Sequence, residues 1–259
     1  MRILAGLLLA GVIALAARRA RMLARSGAWA ATALGTIAVA AGWSWAALLI
    51  AFFVASSLLS RVRAADRAAR TDDIVAKGDE RDAVQVLANG GVFGLAALGF
   101  VLGPGAAWLA AGAGAIAAAT ADTWSTEIGT LSPRPPRSIL TLQPVPAGTS
   151  GGVTLLGFFG AALGAGFIEL VALALRWPAT IAAASLAAGI AGAVADSVLG
   201  AAVQERRWCD ACGKATERRV HGCGAATRRT GGIAGLDNDV VNVLCTMTGA
   251  LVGALLAGA

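Results

Sequence analysis

The chain has 259 residues, 57% hydrophobic and 14% charged, with a mean hydropathy of +0.72. A soluble domain is nearer half apolar and a quarter charged, and a disordered chain is polar, so both classes are disfavoured against a membrane protein. The apolar runs are long, unbroken and Ala/Leu/Gly-rich, unlike the alternating strands of a membrane barrel, and the net charge of +6 reads as a positive-inside bias, with no nucleic-acid partner expected.

A helix that crosses the hydrocarbon needs about 20 mostly apolar residues. Candidate segments fall at 3–17, 27–41, 43–60, 84–102, 106–121, 152–175, 179–203 and 239–258. Gly42-Trp43, Gly103-Pro104-Gly105 and Arg176-Trp177-Pro178 divide the longer runs, since Gly and Pro punctuate helices. The second and fifth segments are short enough to be re-entrant. The expected fold is all-α: one integral membrane domain over 1–259, a polytopic bundle of about eight transmembrane or re-entrant helices. A small cytoplasmic loop over 204–238 joins the last two.

With the N-terminus outside and every segment crossing, the inner loops hold all of the 21 basic residues except Arg2 and Arg176. That places the chain in the cytoplasmic membrane with its basic loops in the cytoplasm. Trp43, Trp108, Trp124, Trp177 and Trp208 fall at the ends of the segments. The first segment has one basic residue before it and four just after, the reverse of a secretory signal. A short internal repeat is also visible. Asn89-Gly90-Gly91-Val92 and Ser150-Gly151-Gly152-Val153 would each open a helix, and Ala121-Asp122-Thr123 and Ala195-Asp196-Ser197 would close the next ones.

The acidic residues form two groups. Asp66, Asp72, Asp73, Asp79, Glu80 and Asp82 lie among basic residues in one loop and read as a solvated stretch. The others sit at the cytoplasmic ends of segments: Asp122 and Glu127 on the fifth, Asp196 on the seventh, and Asp237, Asn238, Asp239 and Asn242 opening the eighth. Gln85 and Asn89 on the fourth, like Asn238 and Asn242, are spaced i, i+4 and share a face. Asp237 and Asn238 also suit helix caps. Ionisable groups at membrane depth are costly and usually functional. Oxygen ligands of this kind suit Mg2+ held together with substrate phosphates. Gly148, Thr149, Ser150, Gly151 and Gly152 form a Gly-rich turn leading toward the sixth helix, where backbone N–H groups attract phosphate. No GK[ST] follows, so this is not a P-loop. Arg134 and Arg137 stand ready to neutralise phosphate charge. Glu169 lies mid-segment, either lining a cavity or paired with a hydroxyl.

Cys209, Cys212, His221 and Cys223 place four soft ligands in fifteen residues. That set matches a closed Cys3His zinc site, structural rather than catalytic, with a final spacing shorter than common templates. A cytosolic loop argues against a disulfide. Cys245 reads as a small buried apolar residue.

Five stretches then carry a resemblance: RDAVQVLANGG (81–91), ADTWSTEIG (121–129), PAGTSGGVTLLG (146–157), ADSVLG (195–200) and DNDVVN (237–242). In this order they resemble the integral-membrane family called domain of unknown function ninety-two, which includes transmembrane protein 19. The likeness runs from about residue 25 to the end. A plant member of that family is a phytyl-phosphate kinase. The resemblance implies that Asp122, Glu127, Gly148, Thr149, Ser150, Gly151, Asp196, Asn238 and Asn242 belong to an active centre.

The functional expectation is an enzyme, a phosphotransferase that passes a phosphoryl group from an NTP, with CTP favoured, to an isoprenoid monophosphate. Asp122, Glu127 and Asp196 would hold Mg2+. Gly148–Gly152 would bind the nucleotide phosphates. Asn89, Asn238 and Asn242 would orient the nucleotide or the acceptor. The partners are then membrane lipid, an isoprenoid phosphate and a nucleoside triphosphate, and a homo-oligomer is left open. The alternatives are a lipid nucleotidyltransferase and a transporter without NTP chemistry. A zinc-stabilised scaffold would leave the acidic cluster unexplained.

Overall fold

A computed structural model describes residues 2–62, 74 and 80–258. Asp66, Asp72, Asp73 and Asp79, with their basic neighbours Arg63, Arg67, Arg70 and Lys77, lie outside the described residues. The described residues form eight helices: α1 (Arg2–Arg19), α2 (Arg25–Ala41), α3 (Trp43–Arg61), α4 (Ala83–Leu102), α5 (Ala106–Gly129), α6 (Leu155–Ala174), α7 (Ala179–Ala202) and α8 (Asn238–Gly258). By length and composition, α3, α4, α6, α7 and α8 could each cross a membrane. The fold is thus the expected all-α membrane bundle, with two small sheets in its connections. Strands β1 (Arg137–Ser138) and β2 (Gly152–Val153) pair antiparallel between α5 and α6. Strands β3 (Arg206–Cys209), β4 (Lys214–Thr216) and β5 (Arg228–Gly231) form a sheet in the order β4-β3-β5 between α7 and α8.

Three expectations need correction. The fifth helix is longer than the expected 106–121: it runs 24 residues to Gly129, about 36 Å at the helical rise, because nothing breaks it until the turn at Thr130. Asn89-Gly90-Gly91-Val92 does not open a helix. The Asp82 carboxylate accepts the Gln85 N–H at 2.8 Å, and Gln85 Oε1 accepts the Asp82 N–H at 3.1 Å. This capping box starts α4 at Ala83, well before Asn89. Nor does Ser150-Gly151-Gly152-Val153 open α6. Gly152–Val153 is strand, and the cap is Thr154, whose hydroxyl accepts the Gly157 N–H at 2.9 Å. The repeat therefore fails at its entries. Its exits do correspond: Asp122 lies seven residues before the end of α5, and Asp196 six before the end of α7.

Helix α5 is the centre of the bundle and packs against α3, α4, α6, α7 and α8. Its residues Gly112–Ala121 are all buried, which only small side chains allow at such close helix approach. A Cβ on Gly114 would stand 2.1 Å from the Gly249 carbonyl, and one on Gly164 would stand 2.9 Å from the Thr120 carbonyl. At the other end of the bundle, Trp45 packs tilted against Phe93, Phe100 and Trp177 at 5.3, 5.4 and 5.2 Å. Trp177, expected at a membrane boundary, is thus part of the core.

A strap ties α1, α2 and α4 together. The Ala24 N–H donates to the Arg81 carbonyl at 3.0 Å, and the Arg81 N–H to the Met22 carbonyl at 3.1 Å. Arg61 also reaches the Ala20 carbonyl. The Arg-bearing turn between α1 and α2, the end of α3 and the start of α4 therefore meet at one end of the bundle.

Candidate functional site

At that same end, where α4, α6 and α8 begin and α5 and α7 finish, lies a cavity of about 1080 Å3. Its lining contains every residue expected in the oxygen-rich site: Asn89, Asp122, Glu127, Gly148, Thr149, Ser150, Gly151, Gly152, Asp196, Asn238 and Asn242. Residues scattered over more than 150 positions of sequence are brought together because α4, α5, α7 and α8 pack as one group.

Asp122 and Asp196 face each other from α5 and α7, with their carboxyl groups in hydrogen-bonding reach. Asp196 Oδ1 is buried and has no hydrogen-bond partner among the described residues. A buried polar atom without a partner costs free energy. Two adjacent carboxyls with such an atom between helices make a donor set suited to a hard divalent cation. Glu127 is five residues beyond Asp122, about 140° further round the helix, and serves another wall. It accepts a hydrogen bond from Ser60 Oγ on α3 at 2.7 Å. Glu127 lines the same cavity as the aspartate pair.

The Gly-rich turn is built on two left-handed glycines, Gly148 (φ 88°) and Gly151 (φ 73°). The Gly152 N–H donates to the Thr149 carbonyl at 2.9 Å, and the Ile139 N–H to the Gly151 carbonyl at 2.9 Å. Gly151 lies directly on α7, where a Cβ would meet Ala201 Cβ at 2.4 Å and the Ser197 carbonyl at 2.6 Å. The turn is thus pressed onto the helix that carries Asp196. On α8, Asp237 caps the helix by accepting the Asp239 and Val240 N–H groups at 3.1 and 3.2 Å. Asn238 is exposed, Asn242 half-buried and Asp239 buried. Asn89 donates to the Gln85 carbonyl at 3.0 Å. Glu169 is half-buried on α6 and outside this cavity.

Two charged residues that the sequence did not single out shape the cavity. Arg81, half-buried, donates to Ser57 Oγ at 3.3 Å and feels the charge of Glu127. Burial pulls its pKa below the ordinary guanidinium value, while Glu127 opposes this. Because arginine stays protonated in proteins, the shift is a desolvation cost that a bound anion would offset. Glu217, from the Cys/His loop, accepts hydrogen bonds from Ser150 Oγ at 2.6 Å and Gln204 Nε2 at 2.8 Å. It lies close enough to Asp196 for their charges to interact. No local pattern marked Glu217, which only the fold of its loop carries to the Gly-rich turn. Arg81 was legible only as the first residue of the stretch RDAVQVLANGG.

Beside the cavity, the ligand atoms of Cys209, Cys212, His221 and Cys223 lie within 4.8 Å of one another. Cys209 Sγ and Cys223 Sγ are 3.7 Å apart, close to the separation of about 3.8 Å that two 2.3 Å Zn–S bonds at a tetrahedral angle require. Tight turns shape the cluster: the Gly213 N–H returns to the Cys209 carbonyl and the Gly224 N–H to the His221 carbonyl, with Gly213 and Gly224 both at positive φ. The Ala225 N–H, with His221 and Cys212, pulls the Cys223 thiol down to about 6, toward the thiolate that binds metal. These four side chains could hold a metal such as zinc.

The sequence profile of the family described as "Integral membrane protein DUF92" matches residues 8–250. The chain is 30% identical over 268 residues to the Arabidopsis thaliana "Protein PGR", covering 93% of this chain and 91% of that one. It is 31% identical over 258 residues to a protein of Methanocaldococcus jannaschii described as "Uncharacterized membrane protein MJ0933", covering 99% and 94%. No solved structure matches.

Proposed function

The chain belongs to the integral membrane family DUF92, and from that premise we propose that its polar cavity carries out phosphoryl transfer from a nucleoside triphosphate to an isoprenoid monophosphate. The observation that carries this reading is the juxtaposition of the Asp122–Asp196 pair with a turn of left-handed glycines and the Arg81 guanidinium in one cavity. At about 1080 Å3, the cavity is as large as the roomiest small-molecule sites. It has space for a nucleotide together with a lipid headgroup.

In this reading Asp122 and Asp196 would hold Mg2+, which would supply charge neutralisation to the phosphates. The Gly148–Gly152 turn and the Ser150 hydroxyl bind the donor's phosphates. Arg81 holds the acceptor monophosphate, and Asn89 and Asn242 orient the two reactants. A terminal oxygen of the lipid phosphate bonds to the γ-phosphorus as the bond between that phosphorus and the β–γ bridging oxygen breaks. The nucleoside diphosphate leaves with that electron pair. A phosphate dianion needs no general base, so charges balance with no proton moved. In this reading the end of the bundle that carries the cavity faces the cytoplasm, where nucleotides are available, and the positive-inside distribution of Lys and Arg supports that side.

The test is a product assay on purified protein in detergent, with Mg2+, CTP or ATP, and phytyl, geranylgeranyl or farnesyl monophosphate. Mass spectrometry is expected to find the lipid diphosphate. Transport of a lipid or solute by proteoliposomes without nucleotide, and no diphosphate, would reject the reading.

A further inference from the structure

We infer that the apolar tip of the hairpin between α5 and α6, formed by Leu140 and Leu142, seats in the lipid interface of the membrane leaflet beside α6, and so anchors the rim of the polar cavity to that leaflet. The contact would serve whatever reaction the cavity performs.

The hairpin covers 137–144 and bonds to itself. Arg137 is bridged to Pro144, the Ser138 N–H donates to the Gln143 carbonyl at 2.9 Å, and the Leu142 N–H to the Ser138 carbonyl at 2.8 Å. The tip then presents two leucines, Leu140 51% and Leu142 65% exposed. Leu142 has a φ of 57°, a left-handed conformation that suits Gly or Asn and strains a bulky residue. Arg137 Nη1 fastens it by donating to the Leu142 carbonyl at 2.8 Å. The turn itself thus gives no reason for a leucine there, and an apolar surround does. The same hairpin is joined to the cavity. The Ile139 N–H donates to the Gly151 carbonyl at 2.9 Å, and Arg134, Pro136 and Val145 line the cavity wall.

The depth of the hairpin follows from α6. Its 20 residues measure about 30 Å, the thickness of the hydrocarbon. Leu155 at its start is 83% exposed and so marks the hydrocarbon edge. Gly152 and Val153 come just before it and pair with Ser138 and Arg137. The base of the hairpin is therefore within about 10 Å of chain from that edge, in the zone where interfacial segments bury their apolar side chains. Arg134 and Arg137, both exposed, flank the tip. Arginine stems lie along apolar surface while their heads meet anionic headgroups. An apolar tip with basic flanks at this depth fits a lipid leaflet better than a protein partner.

The test uses the full chain in vesicles of phosphatidylcholine and phosphatidylglycerol. The probe is phosphatidylcholine carrying a diazirine near the carbonyl end of one acyl chain, and labelled residues are mapped by mass spectrometry. Label is expected within 139–143 and also on α6 near Leu155, which serves as the internal reference. The double variant Leu140→Ser, Leu142→Gly keeps the turn, because glycine accepts the left-handed φ. It should lower label within 139–143 by roughly tenfold or more relative to α6, in protein that melts like wild type. A second measurement keeps the hydrophobic tip and places the photo-cross-linker benzoylphenylalanine at position 140, where a lipid adduct is the expected product. No label within 139–143 while α6 is labelled, undiminished label in the double variant, or cross-linking from position 140 to a second copy or another protein instead of lipid would each overturn the inference.

Discussion

Asp122 and Asp196 bring their carboxyl groups together across the α5–α7 contact. Both sit inside the last two turns of their helices and line the large polar cavity. Like charges this close in a poorly solvated site oppose folding unless a cation or a shared proton lies between them.

Removing one charge should therefore relieve the metal-free protein. Asp122→Asn and Asp196→Asn are expected to melt at or above the wild-type temperature when followed by Trp fluorescence without divalent cations. Millimolar Mg2+ should raise the wild-type midpoint by roughly 2–4 °C for each kcal/mol of binding energy at this chain size, and should barely move either variant. An equal Mg2+ response in all three would remove the aspartates from the metal site.

Gly151 is expected to be irreplaceable for backbone reasons. Its φ of 73° and the 2.4 Å approach to Ala201 Cβ predict a loss of about 1–3 kcal/mol for Gly151→Ala. Gly11 is a suitable control, since a Cβ there meets nothing within 4 Å. Gly11→Ala should be neutral, or stabilising by up to about 1 kcal/mol. Denaturant titration in detergent compares the two, and similar effects would contradict the seating of the turn on α7.

Glu217 links the Cys/His loop to the Gly-rich turn through Ser150. Glu217→Ala should raise KM for the nucleotide by roughly ten- to a hundredfold, the worth of one hydrogen bond to a charged group. The metal content of the loop should not change. An unchanged KM would make the contact incidental.

The loop itself should carry about one metal ion per chain, expected to be zinc, measured by plasma mass spectrometry on protein purified without chelator. Cys209→Ser should lose most of it, because Cys209 is fully buried at the centre of the cluster. Full retention in that variant would show that the four side chains do not act together.

Much of this architecture is legible in the residues. Gly103-Pro104-Gly105 and Arg176-Trp177-Pro178 mark real helix breaks, since Pro and Gly act locally whatever the tertiary context. The oxygen-rich residues were visible as a set because polar groups stand out against an apolar background. Their division was not. Glu127 bonds Ser60 on α3 while Asp122 and Asp196 meet each other, a division set by helix packing that spacing does not encode. Polar residues look like a helix exit in a hydropathy reading, yet backbone helicity does not depend on polarity. Gly151-Gly152 resembled a helix entry, but the strand pairing with Arg137–Ser138 is long-range and leaves no local mark. Glu217 and Arg81 reach the cavity through the fold of a loop and of a strap, which sequence spacing does not encode.

The most direct test of the central claim follows the fate of a labelled phosphate. Purified protein is incubated with farnesyl or geranylgeranyl monophosphate, Mg2+ and nucleotide carrying label at either the α- or the γ-phosphate, beside Asp122→Asn and Asp196→Asn. The account predicts that γ-label enters the lipid as a diphosphate, that α-label does not, and that both variants fall by roughly a hundredfold or more while remaining folded. Transfer of α-label would make the protein a lipid nucleotidyltransferase. Undiminished γ-transfer in both variants would contradict the assignment of this cavity.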